Sequence, residues 1–253
     1  MTQTIGIIGA GMIGGQVARL AVAAGLDVIV SNSRSPETLA GLVQELGSGA
    51  RAATPEEAVR EGDLVVLAIP FLAYSKLSPD ALTRKVVVDT MNYYPERDGQ
   101  MPEVQTDKIA SSELVQRHLR NALLVKAINN MDWVRLLSRA RPARHPERSA
   151  LPIASDHSEA KGTAAKFLDS IGYDAVDMGG LADSWRSEPT MPAYVMPYLG
   201  PVPADLTPET ARNWFLTAPG VAVPTAKLKA LLDKAVRHDR MVGTIASMPG
   251  ASV

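Results

Sequence analysis

The chain is predicted to be α/β, a doubly wound and mainly parallel sheet with a smaller C-terminal α/β extension or domain. Three observations carry this. Across the first 125 residues short apolar runs alternate with helical patterns, the mark of parallel strand, helix, strand units. A glycine-rich turn stands between the first apolar run and the first helical pattern. Beyond residue 148 a further strand, helix and strand pattern follows an interruption rich in arginine and proline.

Strands are expected at 4–8, 27–31, 64–69, 86–89 and 123–128, where apolar and β-branched residues cluster. The first helix carries Val17, Leu20, Ala21 and Ala24 on one face. Thr54-Pro55-Glu56-Glu57 opens another, with a capping hydroxyl, a proline at the first helical position and a glutamate three residues past the cap. Ser35-Pro36-Glu37 offers the same opening without the closing glutamate. The stretch 135–148 holds five arginines, one histidine and two prolines, and reads as an irregular exposed connection. A strand at 150–154, a helix at 158–170 and a strand at 173–178 follow, extending the first sheet or forming a small second domain. Six prolines between 189 and 208 break regular structure. Thr207-Pro208 caps a helix to about residue 217, and 225–241 reads as a final helix. The domain division drawn from this pattern is 1–130, then 131–253.

With 26 Lys+Arg against 27 Asp+Glu the formal charge is −1, so no global field recruits nucleic acid or an anionic membrane. The absence of cysteine excludes disulfides, thiolate metal sites and cysteine nucleophiles. No apolar run approaches the roughly 20 residues that cross a bilayer, and no leader pattern is visible, so the expectation is a soluble, cytoplasmic protein.

Gly9-Ala10-Gly11-Met12-Ile13-Gly14 follows the strand Thr4–Ile8 and precedes the first helix. Glycines so placed permit a tight turn, a close backbone approach to a pyrophosphate and close packing of helix on strand, while the helix amino-terminus offers unpaired N–H groups. This is the phosphate-binding turn of a Rossmann domain. The end of the second strand then selects the cofactor. NAD-binding folds hold the ribose hydroxyl with an acidic residue about 20 residues past the glycines. Here Ser31-Asn32-Ser33-Arg34 has no carboxylate, and its hydroxyls, amide and guanidinium suit the 2′-phosphate of NADP(H). The competing reading makes these residues a polar turn, with Arg34 stacked on adenine.

Four histidines, at 118, 145, 157 and 238, stand far apart with no ligand spacing, so no metal is expected. Asp156-His157-Ser158-Glu159 resembles a triad only in composition and reads as a capping cluster. Tyr93, Tyr94 and Asp132 are the acid or base candidates near the presumed pocket, each more often structural than catalytic. Pro70, Asn92 and Asn129 fall just past strand ends, where doubly wound sheets bind ligands. The alternatives are Asx turns for the two asparagines and ordinary packing for Ile69-Pro70-Phe71-Leu72. The arginine run could hold an acidic ligand, against its reading as a solvated run.

These motifs resemble the family typified by the NADPH:coenzyme F-420 oxidoreductases. They are also similar to the cytoplasmic domain of the six-transmembrane epithelial antigen of prostate metalloreductases, which shares that fold. The resemblance spans residues 4 to about 192 through Ile7-Ile8-Gly9-Ala10-Gly11, Val30-Ser31-Asn32-Ser33-Arg34, Leu67-Ala68-Ile69-Pro70-Phe71, Val88-Asp89-Thr90-Met91-Asn92, Val125-Lys126-Ala127-Ile128-Asn129 and the stretch 177–185. It implies that Ser33 and Arg34 take the 2′-phosphate and that Ala10, Gly11, Met12 and Ile13 take the pyrophosphate. By the same resemblance Ile69 and Pro70 wall the nicotinamide, Phe71 binds the cofactor with them, Asn92 meets the ribose region, and Ala127 to Met131, Asn129 included, border the acceptor pocket. The arginine connection and the tail beyond Pro192 depart from the family pattern.

The function expected is hydride transfer between NADPH and a flavin-like acceptor such as coenzyme F-420. The alternatives are an NADPH-dependent reductase of a small ketone or imine, with Tyr93 or Tyr94 as proton donor, and a non-catalytic NADP(H)-binding protein; Asn92, Tyr93, Tyr94 and Asp132 are the catalytic candidates. A small-molecule or coenzyme acceptor and a second copy of the chain are the expected partners; nucleic acid and membrane are not.

Overall fold

Continuous apolar runs with β-branched residues become strands buried on both faces, and the computed structural model shows this over the residues it describes, 2–106 and 109–237. The first half runs β1 (Thr4–Ile8), α1 (Met12–Ala23), β2 (Asp27–Ser31), α2 (Ala40–Leu46), β3 (Ala50–Ala52), α3 (Pro55–Glu61), β4 (Leu64–Leu67), β5 (Val86–Asp89), α4 (Pro95–Asp98), α5 (Pro102–Gln105), α6 (Ser111–His118) and β6 (Leu123–Lys126). The second runs α7 (Trp133–Ser138), β7 (Ala150–Ile153), α8 (Ser158–Ser170), β8 (Asp174–Asp177), α9 (Met196–Leu199), α10 (Pro208–Thr217) and α11 (Thr225–Asp233).

The main sheet has six parallel strands in the order β3-β2-β1-β4-β5-β6. Winding reverses between β1 and β4, so a crevice opens at their carboxyl ends, the place where such sheets take ligands. The Rossmann fold is therefore present. Its helix starts follow the sequence: Thr54 Oγ1 accepts from Glu57 N at 3.2 Å and the Glu57 carboxylate accepts from Thr54 N at 3.0 Å, a closed capping box on α3.

β7 and β8 form a two-stranded parallel sheet. An antiparallel bridge joins it to the β6 edge, with Lys126 N donating to the Ala154 carbonyl at 2.9 Å and Ala154 N to the Lys126 carbonyl at 3.1 Å. Ala160, Ala164, Phe167 and Leu168 of α8 enter the same hydrophobic core as Ile5, Val66 and Val125. The second sheet thus remains a separate pair of strands, bridged to the β6 edge and sharing its core.

Four expectations need correction. β3 was not expected, because Ala50-Arg51-Ala52 carries no apolar signal, yet it pairs with β2. The arginine run is neither wholly irregular nor solvated. It begins inside α7, Arg135 is fully buried, and Arg148 is buried against Asp169 at 2.6 Å and Asp174 at 2.7 Å, donating also to the Arg141 and Tyr173 carbonyls. Carboxylate and carbonyl acceptors brought in from α8, β8 and the connection itself, which composition does not reveal, reverse the solvated reading for Arg148. The proline-rich stretch contains α9 as a single turn. The final helix ends at Asp233, and the last part of its expected range, with His238, lies outside the described residues.

Candidate functional site

The glycine turn is shaped by two different demands. Gly9 has φ of +100°, and a Cβ there would lie 2.2 Å from the Ala68 carbonyl oxygen; at Gly14 it would lie 1.8 Å from the Gly9 carbonyl oxygen. Both positions need glycine so that β1, α1 and the end of β4 can meet. Gly11 differs: a Cβ there meets nothing within 4 Å, and its φ of −79° suits any residue. Nothing within the chain requires that glycine, so the open space over the amino-terminus of α1 is a cradle that a side chain would fill. A pyrophosphate against the exposed N–H groups fits it.

Two cavities flank this turn at the carboxyl edge of the sheet, and Ile69 lines both. The smaller, about 210 Å³, has an apolar floor from Ile8, Val59, Leu77 and Leu82 and a polar rim that includes Asn32 and Ser33. Asn32 Oδ1 accepts from Arg34 N at 2.9 Å and Asn32 Nδ2 donates to Thr38 Oγ1 at 3.0 Å, which fixes the loop and leaves Ser33 and Arg34 exposed. The arrangement suits adenosine on the floor with a 2′-phosphate at the loop.

The larger cavity, about 490 Å³, is lined by Met12, Ile13, Ile69, Pro70, Asn92, Tyr94, Ile128, Asn129 and Asp132, together with Tyr194, Arg212 and Phe215 from the second half. Asn92 Nδ2 donates to the Asn129 carbonyl at 2.8 Å and Asn129 Nδ2 to Asn92 Oδ1 at 3.1 Å, clamping the ends of β5 and β6 together. Two β-branched residues of the wall hold left-handed backbone, Ile128 with φ of 63° and Val195 with φ of 45°. Such conformations are strained for these side chains, which the surrounding core holds in place.

The Tyr94 and Tyr194 hydroxyls hydrogen-bond across the cleft, although 100 residues separate them in sequence. Burial pushes both phenols above their ordinary range, the mutual bond and Arg97 pulling Tyr94 back in part, so both stay protonated through neutral pH. Arg97 lies 5.1 Å from the Tyr94 ring and pairs with the buried Asp98 at 2.8 Å. Asp132 caps α7, its Oδ1 accepting from Val134 N, Arg135 N and Arg135 Nη1 at 3.0, 3.1 and 3.2 Å. Its carboxyl is pushed up by burial, against the pull of Arg135 and these N–H groups. The cap and ion pair explain Asp132 without a catalytic role.

Four candidates are not brought to the cleft. Tyr93 is buried in the second core, its hydroxyl donating to the Gly99 carbonyl at 2.7 Å and accepting from Met101 N at 3.0 Å. Phe71 packs at a tilt against Tyr93, with ring centroids 5.7 Å apart and no exposed surface. Ala127 is fully buried, and the Ser31 hydroxyl is spent on the Ile7 carbonyl at 2.9 Å. Alternation explains these misses, since neighbours along an extended chain face opposite sides. The sequence reading missed Tyr194 and Arg212, for which no local motif exists.

A family model for coenzyme F-420-dependent NADP oxidoreductases matches residues 4–93. The matched stretch runs from β1 past the end of β5, and includes the turn, the Ser33 loop and Asn92. The chain is 30% identical over 195 residues to Metalloreductase STEAP3 of Rattus norvegicus, covering 76% of this chain and 37% of that protein. It spans little more than a third of the curated relatives it matches, 37% and 34%. Among solved structures, a hypothetical protein from Sinorhizobium meliloti superposes with a TM-score of 0.66 at 27% identity, covering 78% of this chain and 94% of the other. A candidate F-420-dependent NADP reductase from Arthrobacter sp. gives 0.60 at 22% identity, covering 72% and 86%, a likeness of fold. No helix among the described residues is long and apolar enough to cross a membrane.

Proposed function

We propose that the chain is an NADP(H)-dependent oxidoreductase acting on a flavin-like acceptor such as coenzyme F-420. The observation that carries the reading is the pair of cavities joined at Ile69 on either side of the glycine turn, the smaller suited to adenosine and the larger roomy enough for a nicotinamide and a second ring system. Bound NADP(H) supplies the hydride. In this assignment Gly9 to Gly14 and the α1 amino-terminus hold the pyrophosphate, and Ser33 and Arg34 hold the 2′-phosphate. Ile69, Pro70 and Met12 give the nicotinamide an apolar wall, and the Asn92 and Asn129 clamp fixes the rim between cofactor and acceptor. Residues 1–130 act as the cofactor side and the described part of 131–253 as the acceptor side. Phe215 and Leu216 of α10 narrow the mouth to water, and Arg212, without an ion-pair partner among the described residues, favours an anionic acceptor. Anaerobic mixing with NADPH and oxidised deazaflavin coenzyme is expected to bleach the deazaflavin while an equimolar amount of NADPH is consumed. Bleaching no faster than in buffer overturns the reading.

A second reading, reduction of a small ketone or imine, is favoured by the Tyr94 and Tyr194 pair. There Tyr94 donates its phenolic proton to the acceptor heteroatom as the acceptor carbon gains hydride, and Tyr194 returns a proton to Tyr94. Under this reading Tyr94→Phe lowers kcat on a carbonyl or imine panel by about 10²–10⁴-fold with the KM for NADPH unchanged. Deazaflavin bleaching that survives Tyr94→Phe within about tenfold, with no turnover of the panel, selects the first reading. Binding of NADPH with no turnover of any acceptor selects a non-catalytic binding protein.

A further inference from the structure

We propose that Lys76 is a second cation for the 2′-phosphate, closing on it from the wall opposite the Ser33 and Arg34 loop and selecting NADPH over NADH. The inference rests on the cofactor assignment above and adds a residue that neither the motif nor the loop after β2 contains.

Lys76 lines the adenosine cavity together with Asn32 and Ser33, yet it comes from a different segment, the 3-10 turn Phe71–Lys76 after β4. That turn is braced along its length. The Phe71 ring is fully buried and packs at a tilt against Tyr74, with ring centroids 5.2 Å apart. Tyr74 meets the His118 ring at 5.7 Å, and His118 Nε2 donates to the Leu77 carbonyl at 2.9 Å. The backbone that carries Lys76 is therefore held against α6, while its side chain is free. Among the described residues Lys76 has no ion-pair partner, even though Glu56 lines the same cavity.

A phosphate monoester carries close to two negative charges at neutral pH. One guanidinium, Arg34, leaves part of that charge uncompensated. Glu56 faces the same space and opposes a dianion, so a cation on the far wall is what makes the cavity hospitable to NADPH. NADH brings no charge to this position. A lysine there then acts on one cofactor and hardly on the other, which is the signature of a specificity residue.

The test uses the full chain and calorimetric titration with 2′,5′-ADP and 5′-AMP, which differ only by the 2′-phosphate, followed by NADPH and NADH. Lys76→Gln is expected to weaken 2′,5′-ADP and NADPH about tenfold or more, with 5′-AMP and NADH within about twofold. Lys76→Arg is expected to retain most of the affinity, and Glu56→Gln in the Lys76→Gln background to recover part of it. Unchanged 2′,5′-ADP binding in Lys76→Gln, or equal losses for both nucleotides, overturns the proposal. The cofactor assignment is judged separately, by wild type binding 2′,5′-ADP more tightly than 5′-AMP and by Arg34→Ala reducing that preference. If both of those hold and Lys76→Gln is silent, the fault lies with Lys76 alone.

Discussion

Gly11→Ala is expected to leave the free protein within about 1 kcal/mol of wild-type stability and to weaken NADPH and NADH together by at least about tenfold. The expectation follows from the open space at that position: an alanine Cβ meets nothing within 4 Å, and the backbone is already in a region every residue adopts. The small cost is that of exchanging glycine for alanine at a helix cap. A methyl group there occupies the space over the N–H groups that the pyrophosphate must approach, so both cofactors suffer alike. Gly14→Ala behaves in the opposite way. Its Cβ would lie 1.8 Å from a backbone oxygen, so α1 must shift from β1 and the stability of the free protein falls. Thermal unfolding with and without cofactor, beside titration of each, checks the pair. Equal cofactor affinity for Gly11→Ala and wild type would show that the turn holds no pyrophosphate.

Lys126→Met is expected to destabilise the protein by about 3–5 kcal/mol. Lys126 and Asp89 face each other in register at the ends of β6 and β5, both without exposed surface, with Nζ 3.4 Å from Oδ2. The ammonium also donates to the Met91 carbonyl, while Asp89 accepts from Ser112 Oγ at 2.6 Å and Met91 N at 2.9 Å. Removing the lysine leaves a carboxylate in the interior with its neutral donors only. The carbonyl of Met91, next to Asn92 at the cleft, loses its donor as well. Denaturant unfolding should show the loss, and Asp89→Asn combined with Lys126→Met should recover part of it. A change under 1 kcal/mol would mean that the two charges are not coupled as the distances indicate.

The features legible in the sequence were those written in neighbouring residues. β1, β2 and β5 lie where their apolar runs place them, and α8 begins and ends as its periodicity predicts. The glycine turn and the cap at Thr54 are local statements, complete within six residues or fewer. What escaped was set by distance or by partners. β3 is an edge strand of three residues whose pairing with β2, not its composition, makes it a strand. Arg148 reads as a surface charge until Asp169 and Asp174 arrive from the far end of α8 and from β8. Tyr194 has no motif around it and gains meaning only from Tyr94 across the cleft. Tyr93 and Tyr94 differ in role because adjacent side chains leave the backbone on opposite faces, a parity the sequence leaves open at a strand end.

The left-handed backbone at Ile128 and Val195 has a consequence for how this chain can change. Each holds about 1–3 kcal/mol of conformational energy that glycine at the same place would release. Both residues supply apolar side chains to the cleft wall, so the release also removes part of the wall. Ile128 and Val195 are also buried in the core, so glycine there would lose about as much in burial and packing as it releases in strain, and the surrounding core is what keeps the wall in this shape.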